Sequence, residues 1–173
     1  MTDARDQPPS ITIRAEAPAD VEAVFDVEAA AFGQPNEARI VDAIRGTPDE
    51  VASLVAVEGD RVVAHVLFSR VRIDGLSRAS AVALGPVAVV PDRQGRKIGD
   101  ALIRRGIDVV RSKAAFDLLF VLGNPRYYAR FGFIPALDAG FEYAPGMERA
   151  FQYMRLRLWP DGGGRVVYHE AFG

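Results

Sequence analysis

Three strand-like segments that follow one another across tight turns constrain the fold more than any other feature of this sequence. They cover Ser53 to Glu58, Arg61 to Ile73 and about Ala79 to Val90. The pairs Gly59-Asp60 and Asp74-Gly75 separate them, and such pairs are typical of hairpin turns. Because turns this short return the chain alongside itself, we predict an antiparallel three-stranded meander.

The pattern changes directly after the third segment. Apolar residues recur at helical spacing from Ile98 to Lys113, which predicts a helix of about four turns. Asp117 to Leu122 is then a nearly continuous apolar run, as expected for a buried strand beside a parallel neighbour. A strand, a crossover helix and a parallel strand form a common unit. We therefore predict an α/β fold with a mixed sheet, in which an antiparallel meander adjoins a parallel strand pair and helices cover both faces.

The rest of the chain supplies shorter elements around this centre. We predict a strand over Ile11 to Glu16, a helix from Pro18 to Phe32, a helix from Glu37 to about Arg45, a short helix from Pro125 to Phe131, a long loop over 134–150, a strand from Phe151 to Trp159 and a short strand at Val166 to Tyr168. A chain of 173 residues fits one domain, which we place at residues 11–173 after a disordered tail at residues 1–10.

Composition excludes several classes of function. The chain has no cysteine, so it has neither a disulfide nor a catalytic thiol, and its two histidines are too few for a His-rich metal site. Its 21 basic and 23 acidic residues give a net charge of −2, which does not favour nucleic acid or a membrane as partner. The N-terminus lacks the apolar core of a signal peptide, and the apolar run from Ala81 to Val90 is too short to cross a bilayer, so we expect a cytoplasmic protein.

The loop before the long helix has the composition of an anion site. Gly95 and Gly99 permit close backbone approach, and Arg93, Arg96 and Lys97 add positive charge. N–H groups at the start of a helix lack intrahelical partners and lie at the positive end of its dipole, so this segment could hold a phosphate or pyrophosphate. The spacing fits neither of the common nucleotide motifs, GxxxxGK[ST] and GxGxxG. The alternative is a solvated basic loop that only caps the helix.

Two motifs in a fixed order resemble those of the GCN5-related N-acetyltransferase (GNAT) superfamily. The first is Gln94-Gly-Arg-Lys-Ile-Gly99, which is similar to the acetyl-CoA motif R/Q-x-x-G-x-G/A. The second is Val121-Leu-Gly-Asn-Pro-Arg-Tyr-Tyr-Ala-Arg-Phe-Gly-Phe133, which resembles the YhbS-like branch of predicted acetyltransferases. The ending Gly164-Arg-Val-Val-Tyr-His-Glu-Ala-Phe172 is also similar to that branch. The resemblance spans Ile11 to Phe172.

The resemblance implies acetyl-CoA as co-substrate, with no metal. The strand at Val87, Ala88 and Val89 would present backbone groups to pantetheine, and an N–H near Val87 or Ala88 could polarise the acetyl carbonyl. The implied pyrophosphate loop comprises Gln94, Gly95, Arg96, Lys97, Ile98, Gly99 and Asp100. Gly85-Pro86 could bend or bulge the strand and open a gap for the cofactor, or it could be an ordinary edge irregularity.

One position departs from the family motif. Where the superfamily usually has a glycine, this chain has Lys97. If the position requires a positive φ, Lys97 is strained. The alternative is a reshaped loop in which the lysine itself meets a phosphate.

The implied catalytic acid is Tyr128, which precedes Gly132 by four residues. A phenol can protonate a leaving thiolate, although either Tyr127 or Tyr128 could instead be a packing residue. Asn124 could contact pantetheine or serve as an ordinary helix N-cap.

The sequence leaves the general base open. The first candidate is Glu28, because the end of the first helix often borders the acceptor in this superfamily. The other candidates are Glu37, Glu142, Glu148 and, as an outsider, His65.

The expected function is direct transfer of an acetyl group to a primary amine of a small molecule or peptide in a ternary complex, since no cysteine can carry the acetyl group. The first two helices and the loop at 134–150 would shape the acceptor pocket. The alternative is a non-catalytic module that binds or senses acyl-CoA. The alternating strand at 151–159 could pair across a homodimer.

Overall fold

A mixed β-sheet with helices on both faces forms the centre of the computed structural model, which describes residues 10–159 and 162–173. The predicted disordered tail lies, apart from Ser10, outside the described residues. The strands are β1 (Ile11–Ala15), β2 (Glu50–Glu58), β3 (Arg61–Ile73), β4 (Ala81–Val89), β5 (Leu118–Leu122), β6 (Ile134–Pro135), β7 (Phe141–Glu142), β8 (Phe151–Arg155) and β9 (Gly164–Val167). The α-helices are α1 (Val21–Phe32), α2 (Asn36–Ile44), α3 (Ile98–Ser112) and α4 (Pro125–Tyr128). No helix in these two ranges is long and apolar enough to cross a membrane.

The predicted meander is confirmed. β2, β3 and β4 pair antiparallel in chain order, and β1 adds to the outer edge of β2. β3 has the predicted bounds, and most of its residues are buried because it lies between two neighbours under helices. In this register His65 stands opposite Val55 on one side and Ala88 on the other.

The predicted parallel pair is also confirmed. After β4 the chain crosses the sheet through α3 and returns as β5, which pairs parallel with β4. Apolar residues on one face of α3 are buried against the sheet, where Gly106 allows the ring of Phe68 to approach the helix backbone. Neighbouring residues of a strand point to opposite faces. Phe68 therefore marks the α3 face, and His65, three residues away, marks the face under α1.

The C-terminal part is more regular than the sequence predicts. The segment at 134–150, expected to be a loop, contains β6, β7 and a 3₁₀ turn, whose short strands are held by pairing with β8 and β9. The strand expected to end at Trp159 ends at Arg155. Its residues Gln152 and Tyr153 lie between β5 and β6, so this part of β8 is not a free edge. An aromatic cluster joins this half of the sheet, with Phe120 stacked on Phe151 at 5.4 Å between ring centroids.

Candidate active site

Strands β4 and β5 separate halfway along β4. The parallel ladder ends at the pair Leu84 and Val121. Gly85, with a φ of 142°, and Pro86 follow directly, and proline has no N–H with which to continue a ladder. β4 nevertheless continues to Val89 because it stays paired with β3. The bend that the sequence suggests at Gly85-Pro86 therefore coincides with a gap between two adjacent strands.

Backbone groups of β4 face this gap. The N–H of Val90 donates to the carbonyl of Val63 at 3.0 Å. In an antiparallel ladder hydrogen-bonded residues alternate, so Ala88 also bonds to β3, whereas Val87 and Val89 present their N–H and C=O groups on the opposite side. Since β5 has already diverged there, an extended ligand could pair with Val87. The hydrogen-bond pattern of β4 is thus consistent with the prediction that this strand presents backbone groups to pantetheine.

The side chain of Gln94 connects the loop to the strand. Its Nε2 donates to the carbonyl of Val89 at 3.0 Å. This contact fixes the loop against β4 and occupies one of the two outward groups of Val89. Gln94 therefore shapes the loop rather than pointing its amide donor at a phosphate.

A run of unpaired backbone N–H groups follows Gln94. The N–H groups of residues 95–100 donate to no protein acceptor in the described part of the chain, and the first helical bond runs from Ala101 to the carbonyl of Lys97 at 3.1 Å. Gly95 and Lys97 are both left-handed, with φ of 75° and 62°. Such turns gather N–H groups into a concavity that binds anions. The adjoining groove has a volume of about 320 Å³ and is lined by Val89, Arg93, Gln94, Gly95, Lys97, Ile98, Gly99, Asp100, Tyr127 and Arg130.

Lys97 has the conformation that a glycine would adopt without strain. It is the N-cap residue of α3, at φ 62° and ψ 15°. Of the two possibilities that the sequence leaves open, the structure has the positive φ at Lys97. Its side chain is exposed and forms no ion pair within residues 10–159 and 162–173, so its ammonium can interact with an anion in the groove.

The basic cluster is smaller than the sequence suggests. Arg93 donates to Glu58 at 2.7 Å, and Arg96 lies 3.6 Å from the same carboxylate. Glu58, at the end of β2, offsets one of the two positive charges expected from these arginines, and Asp92 also pairs with Arg93. Lys97 is the cation of this predicted cluster that keeps its full charge for a ligand.

The last three residues of the loop hold the start of α3 in place. Ile98 is only 5% exposed, so its side chain anchors α3 in the core. A Cβ on Gly99 would lie 3.5 Å from the nearest heavy atoms, an ordinary contact, which explains why an alanine also suits this motif position. The carboxylate of Asp100 accepts from the hydroxyl of Tyr127 at 2.9 Å and from Arg130 at 3.0 Å. It therefore holds α4 against the start of α3.

The two adjacent tyrosines have different environments. Tyr127 is committed to Asp100, and the guanidinium of Arg130 lies 4.5 Å from its ring centroid. The hydroxyl of Tyr128 has no hydrogen-bond partner among the described residues. Burial raises the pKa of Tyr128 to about 12, so it is a protonated phenol at neutral pH. Of the two, Tyr128 is the one whose proton is free to reach a ligand.

Packing fixes the ring of Tyr128. A Cβ on Gly123 would lie 2.4 Å from a ring carbon of Tyr128, so glycine is needed for this approach. On other sides the ring meets Tyr127 and Phe133 edge to face, with centroids 5.0 and 5.9 Å away. The end of β5 and the start of α4 thus position this side chain.

Asn124 is the N-cap of α4. Its Oδ1 accepts from the N–H of Arg126 at 3.0 Å. Asn124 therefore serves as an ordinary helix N-cap in this structure. Its Nδ2 donates to none of the residues described.

Glu28, on the inner face of α1, is fully buried and does not lie on the cleft surface. Its Oε1 lies 2.5 Å from Nδ1 of His65, which is also fully buried. Its Oε2 has no hydrogen-bond partner within the described residues. His65 stands opposite Ala88 across the β3–β4 ladder, so this pair lies one strand away from the gap, on the face covered by α1.

The other ring nitrogen of His65 completes a polar network. Nε2 lies 2.8 Å from Oγ of Ser53, and that hydroxyl is in close contact with Glu16, which also accepts from Arg45 at 2.7 Å. Although burial opposes it, hydrogen bonds from His65, Ser53 and Arg45 lower the pKa of Glu16 to about 2. Burial raises the pKa of Glu28, against the effect of His65. Burial alone would lower the pKa of His65, but Glu16 and Glu28 raise it.

The sequence identifies both Glu28 and His65 as candidate bases but does not predict that they contact each other. Glu28 follows the buried Val24 by four residues, which places both on the inner face of α1. His65 alternates with apolar residues in a strand buried on both faces. These two signals predict burial, but which buried residues meet depends on the tertiary packing of α1.

The other candidate bases are more exposed. Glu37 accepts from the side chain of Gln34 near the start of α2. Glu142 and Glu148 border a cavity of about 460 Å³ in the C-terminal region, together with Tyr143 and Arg165. These acids are separate from the Glu28–His65 pair.

A comparison with family models matches residues 12–136 to the acetyltransferase (GNAT) domain. Among curated proteins, the chain is similar to the uncharacterized N-acetyltransferase YjhQ of Escherichia coli strain K12. The two are 38% identical over 128 residues, which are 70% of this chain and 69% of that protein.

Solved structures give the same result. YhbS from Escherichia coli, a GNAT family N-acetyltransferase solved in complex with CoA, superposes with a TM-score of 0.85 at 30% identity, over 98% of this chain and 96% of that one. A GNAT family acetyltransferase from Brucella melitensis, solved with acetyl-CoA, has a TM-score of 0.78 at 37% identity, over 95% and 99% of the two chains. The ribosomal-protein-S18-alanine N-acetyltransferase of Escherichia coli, 16% identical over 88% of this chain and 97% of that one, shares the fold with a TM-score of 0.66.

Proposed function

Because the chain belongs to the GNAT acetyltransferase family, we propose that it moves the acetyl group of acetyl-CoA directly to a primary amine. The observation that carries this proposal is the gap between β4 and β5, which ends at the unpaired N–H groups of residues 95–100. An extended amide ligand suits the gap, and a pyrophosphate suits its end. CoA combines an extended amide chain, which suits the gap, with a pyrophosphate, which suits the N–H groups at its end, so its chemistry fits both parts of the site.

Cofactor binding uses the backbone more than side chains. The N–H and C=O of Val87 pair with pantetheine, and the N–H groups of Gly95 to Asp100 bind the pyrophosphate. Lys97 adds the one unpaired ammonium of the predicted basic cluster. The complexes of YhbS with CoA and of the Brucella protein with acetyl-CoA support this assignment by similarity.

Tyr128 is the proposed acid and Glu28 the proposed base. Because Glu28 is fully buried, it takes the proton through a relay of water rather than by contact with the amine. The amine arrives as an ammonium ion and must lose a proton before it attacks the thioester. A bond forms between nitrogen and the acetyl carbon, the C–S bond breaks, and the thiolate takes a proton from Tyr128. The proton that the nitrogen then loses as it becomes an amide restores the phenol of Tyr128. The sum is ammonium plus acetyl-CoA giving amide, CoA thiol and one proton. A buried carboxyl group with a raised pKa, such as Glu28, is a stronger base than an exposed one.

The acceptor is a small molecule or peptide that carries a primary amine. The cavity beside Glu142 and Glu148 has the charge to attract a cation, although Arg165 partly offsets it. Transfer occurs in a ternary complex, since the chain has no cysteine to hold the acetyl group. A cytoplasmic location and a homodimer remain predictions from the sequence.

Release of CoA thiol from acetyl-CoA, measured across a panel of amines, tests the proposal. We expect amine-dependent release by the wild type and a loss of kcat of about 10²-fold or more in Tyr128→Phe. Tyr127→Phe is the matched control, because it removes the neighbouring hydroxyl and should affect mainly the KM for acetyl-CoA. Binding of acetyl-CoA without turnover on any amine would favour a non-catalytic sensor instead.

A further inference from the structure

Lysine occurs only twice in this chain, although 21 residues are lysine or arginine. Lys97 is the N-cap of α3 and Lys113 is its C-cap, so the two amines mark opposite ends of one helix. Both residues are exposed, and the side chain of neither forms an ion pair or hydrogen bond with the described residues. A difference in the reactivity of the two amines must therefore come from their surroundings.

Lys97 stands where the protein offers unpaired donors. The N–H groups of residues 95–100 have no acceptor among residues 10–159 and 162–173, and the side chain of Lys97 lines the groove of about 320 Å³ beside them. The start of α3 is also the positive end of the helix dipole. A phosphate group held by these N–H groups therefore lies next to the amine of Lys97.

The acidic side chains around this groove are already paired. Asp100, on the groove wall, accepts from Tyr127 at 2.9 Å and from Arg130 at 3.0 Å. Glu58, which contacts the loop, accepts from Arg93 at 2.7 Å. Neither carboxylate pairs with Lys97, so its amine stays available to a ligand.

Lys113 has the opposite surroundings. It follows the last turn of α3, where carbonyl groups rather than N–H groups lack helical partners and the dipole is negative. Its own N–H donates to the carbonyl of Val110 at 3.3 Å. A phosphate finds no cluster of free N–H donors there, so Lys113 is an internal reference for an exposed lysine without an anion site.

We propose that Lys97 is a self-acylation site that reacts with acyl phosphates, the mixed anhydrides of a carboxylic acid and phosphoric acid. The proposal rests on the proposed role of residues 95–100 as a phosphate site. In such a reagent a single oxygen joins the acyl carbon to phosphorus, so binding of the phosphate at the N–H groups brings the acyl carbon beside the amine. Proximity of this kind raises the effective concentration of the reagent.

The transfer needs no other reactant. The ammonium of Lys97 loses a proton, its nitrogen forms a bond to the acyl carbon, and the bond between that carbon and the phosphate oxygen breaks. The sum is lysine ammonium plus acyl phosphate giving N-acyl-lysine, hydrogen phosphate and one proton. An acylated lysine is neutral, so the anion site loses the unpaired cation of its basic cluster.

Acetyl-CoA protects Lys97 rather than acylating it. In the proposed complex its pyrophosphate occupies the N–H groups of residues 95–100, while its thioester lies near Val87, at the other end of pantetheine. Acyl phosphate and CoA therefore compete for one site, and acylation weakens the later binding of acetyl-CoA. The modification thus couples the affinity for the cofactor to the level of acyl phosphate.

Peptide mass spectrometry after incubation with acetyl phosphate tests the proposal, because both lysines are measured in the same sample. We expect Lys97 to be acetylated at least about tenfold faster than Lys113. Saturating CoA should slow Lys97 to the rate of Lys113, and the rate should rise with pH because a lysine amine is almost fully protonated at neutral pH. Equal rates at the two lysines, or no protection by CoA, would overturn the proposal.

Matched variants measure the effect on cofactor affinity. Lys97→Gln has a neutral side chain like the acylated form, and Lys97→Arg keeps the charge but offers no amine. We expect the acetylated wild type and Lys97→Gln to bind acetyl-CoA about two- to fivefold more weakly at low salt. Acetyl phosphate treatment should leave the affinity of Lys97→Arg where it was before treatment. Unchanged affinity of the acetylated wild type would overturn the coupling.

Failure of the proposed function gives a different result. If the wild type does not bind acetyl-CoA, the cofactor assignment fails and CoA cannot protect Lys97. Inorganic pyrophosphate then replaces CoA as the competitor. Selective acetylation of Lys97 that pyrophosphate suppresses would still support the self-acylation site, whereas unselective acetylation would overturn both proposals.

Discussion

Replacing Lys97 with glycine should stabilise the protein. Lys97 has a φ of 62°, a region that costs an L-residue about 1–2 kcal/mol. Glycine removes this strain but loses about 0.5–1 kcal/mol more backbone entropy on folding. The midpoints of these two ranges leave a net gain of about 0.75 kcal/mol. For a chain of 173 residues this raises Tm by about 1–4 °C.

The chain supplies a matched control for this change. Ala114, two residues beyond the end of α3, is the other non-glycine residue with a positive φ in the described ranges, at 49°. Ala114→Gly should give a similar gain in a thermal unfolding experiment. It should not affect acetyl-CoA, because Ala114 lies beyond the opposite end of α3 from the anion loop. Lys97→Gly, in contrast, should weaken acetyl-CoA binding in a salt-dependent way, because it removes the free ammonium.

Two results would refute this reasoning. Destabilisation by Lys97→Gly alongside stabilisation by Ala114→Gly would mean that the lysine side chain stabilises the loop through contacts that outweigh its backbone strain. Unchanged acetyl-CoA affinity at low salt would mean that the ammonium does not meet a phosphate.

Three further predictions concern packing and pH. Gly123→Ala should lower kcat about as much as Tyr128→Phe, roughly 10²-fold. The reason is that the new methyl group would lie 2.4 Å from the ring of Tyr128 and displace it. A normal kcat in a folded variant would argue against Tyr128 as the acid. Gly106→Ala should lower the free energy of unfolding, measured in denaturant, by about 1–2 kcal/mol, since its Cβ would lie 2.2 Å from the ring of Phe68. An unchanged midpoint of the denaturant transition would mean that the ring moves freely. The pKa of Glu16 falls from 4.5 to about 2 on folding, so above pH 4.5 Glu16 should add about 1–2 kcal/mol to the free energy of unfolding, after allowance for solvent screening, and this contribution should disappear as the pH falls toward 2. Glu16→Gln should remove this part of the dependence of stability on acid pH. Identical stability-against-pH curves for the variant and the wild type would contradict the prediction.

The sequence predicts the central elements well because their signals are local. Turn pairs fix the ends of β3, and the Gly85-Pro86 pair coincides with the divergence of β4 from β5. The motif also identifies Lys97 as the position where a positive φ would fall, although the motif does not decide between that φ and a reshaped loop. Each of these features depends on residues that are neighbours in the chain.

Features that depend on distant residues are predicted less well. β6 and β7 have two residues each and exist because β8 and β9 pair with them. Arg93 carries a positive charge in the loop, but Glu58, which is 35 residues away, accepts its hydrogen bond.

The network around Glu28 and His65 is the clearest example of this limit. Four of its members come from different elements, and their contacts span up to 37 residues of sequence. Helical and strand periodicity predict that such residues are buried. Only the packing of α1 on β3 determines that the two titratable groups meet.

Backbone amide chemical shifts during titration with acetyl-CoA test the central claim most directly. The account predicts the largest changes at Val87 and at residues 95–100, with little change at Ile13 in the outer strand β1. Binding that leaves these amides unchanged and perturbs another surface, or no binding at all, would contradict the assignment of the β4–β5 gap as the cofactor site.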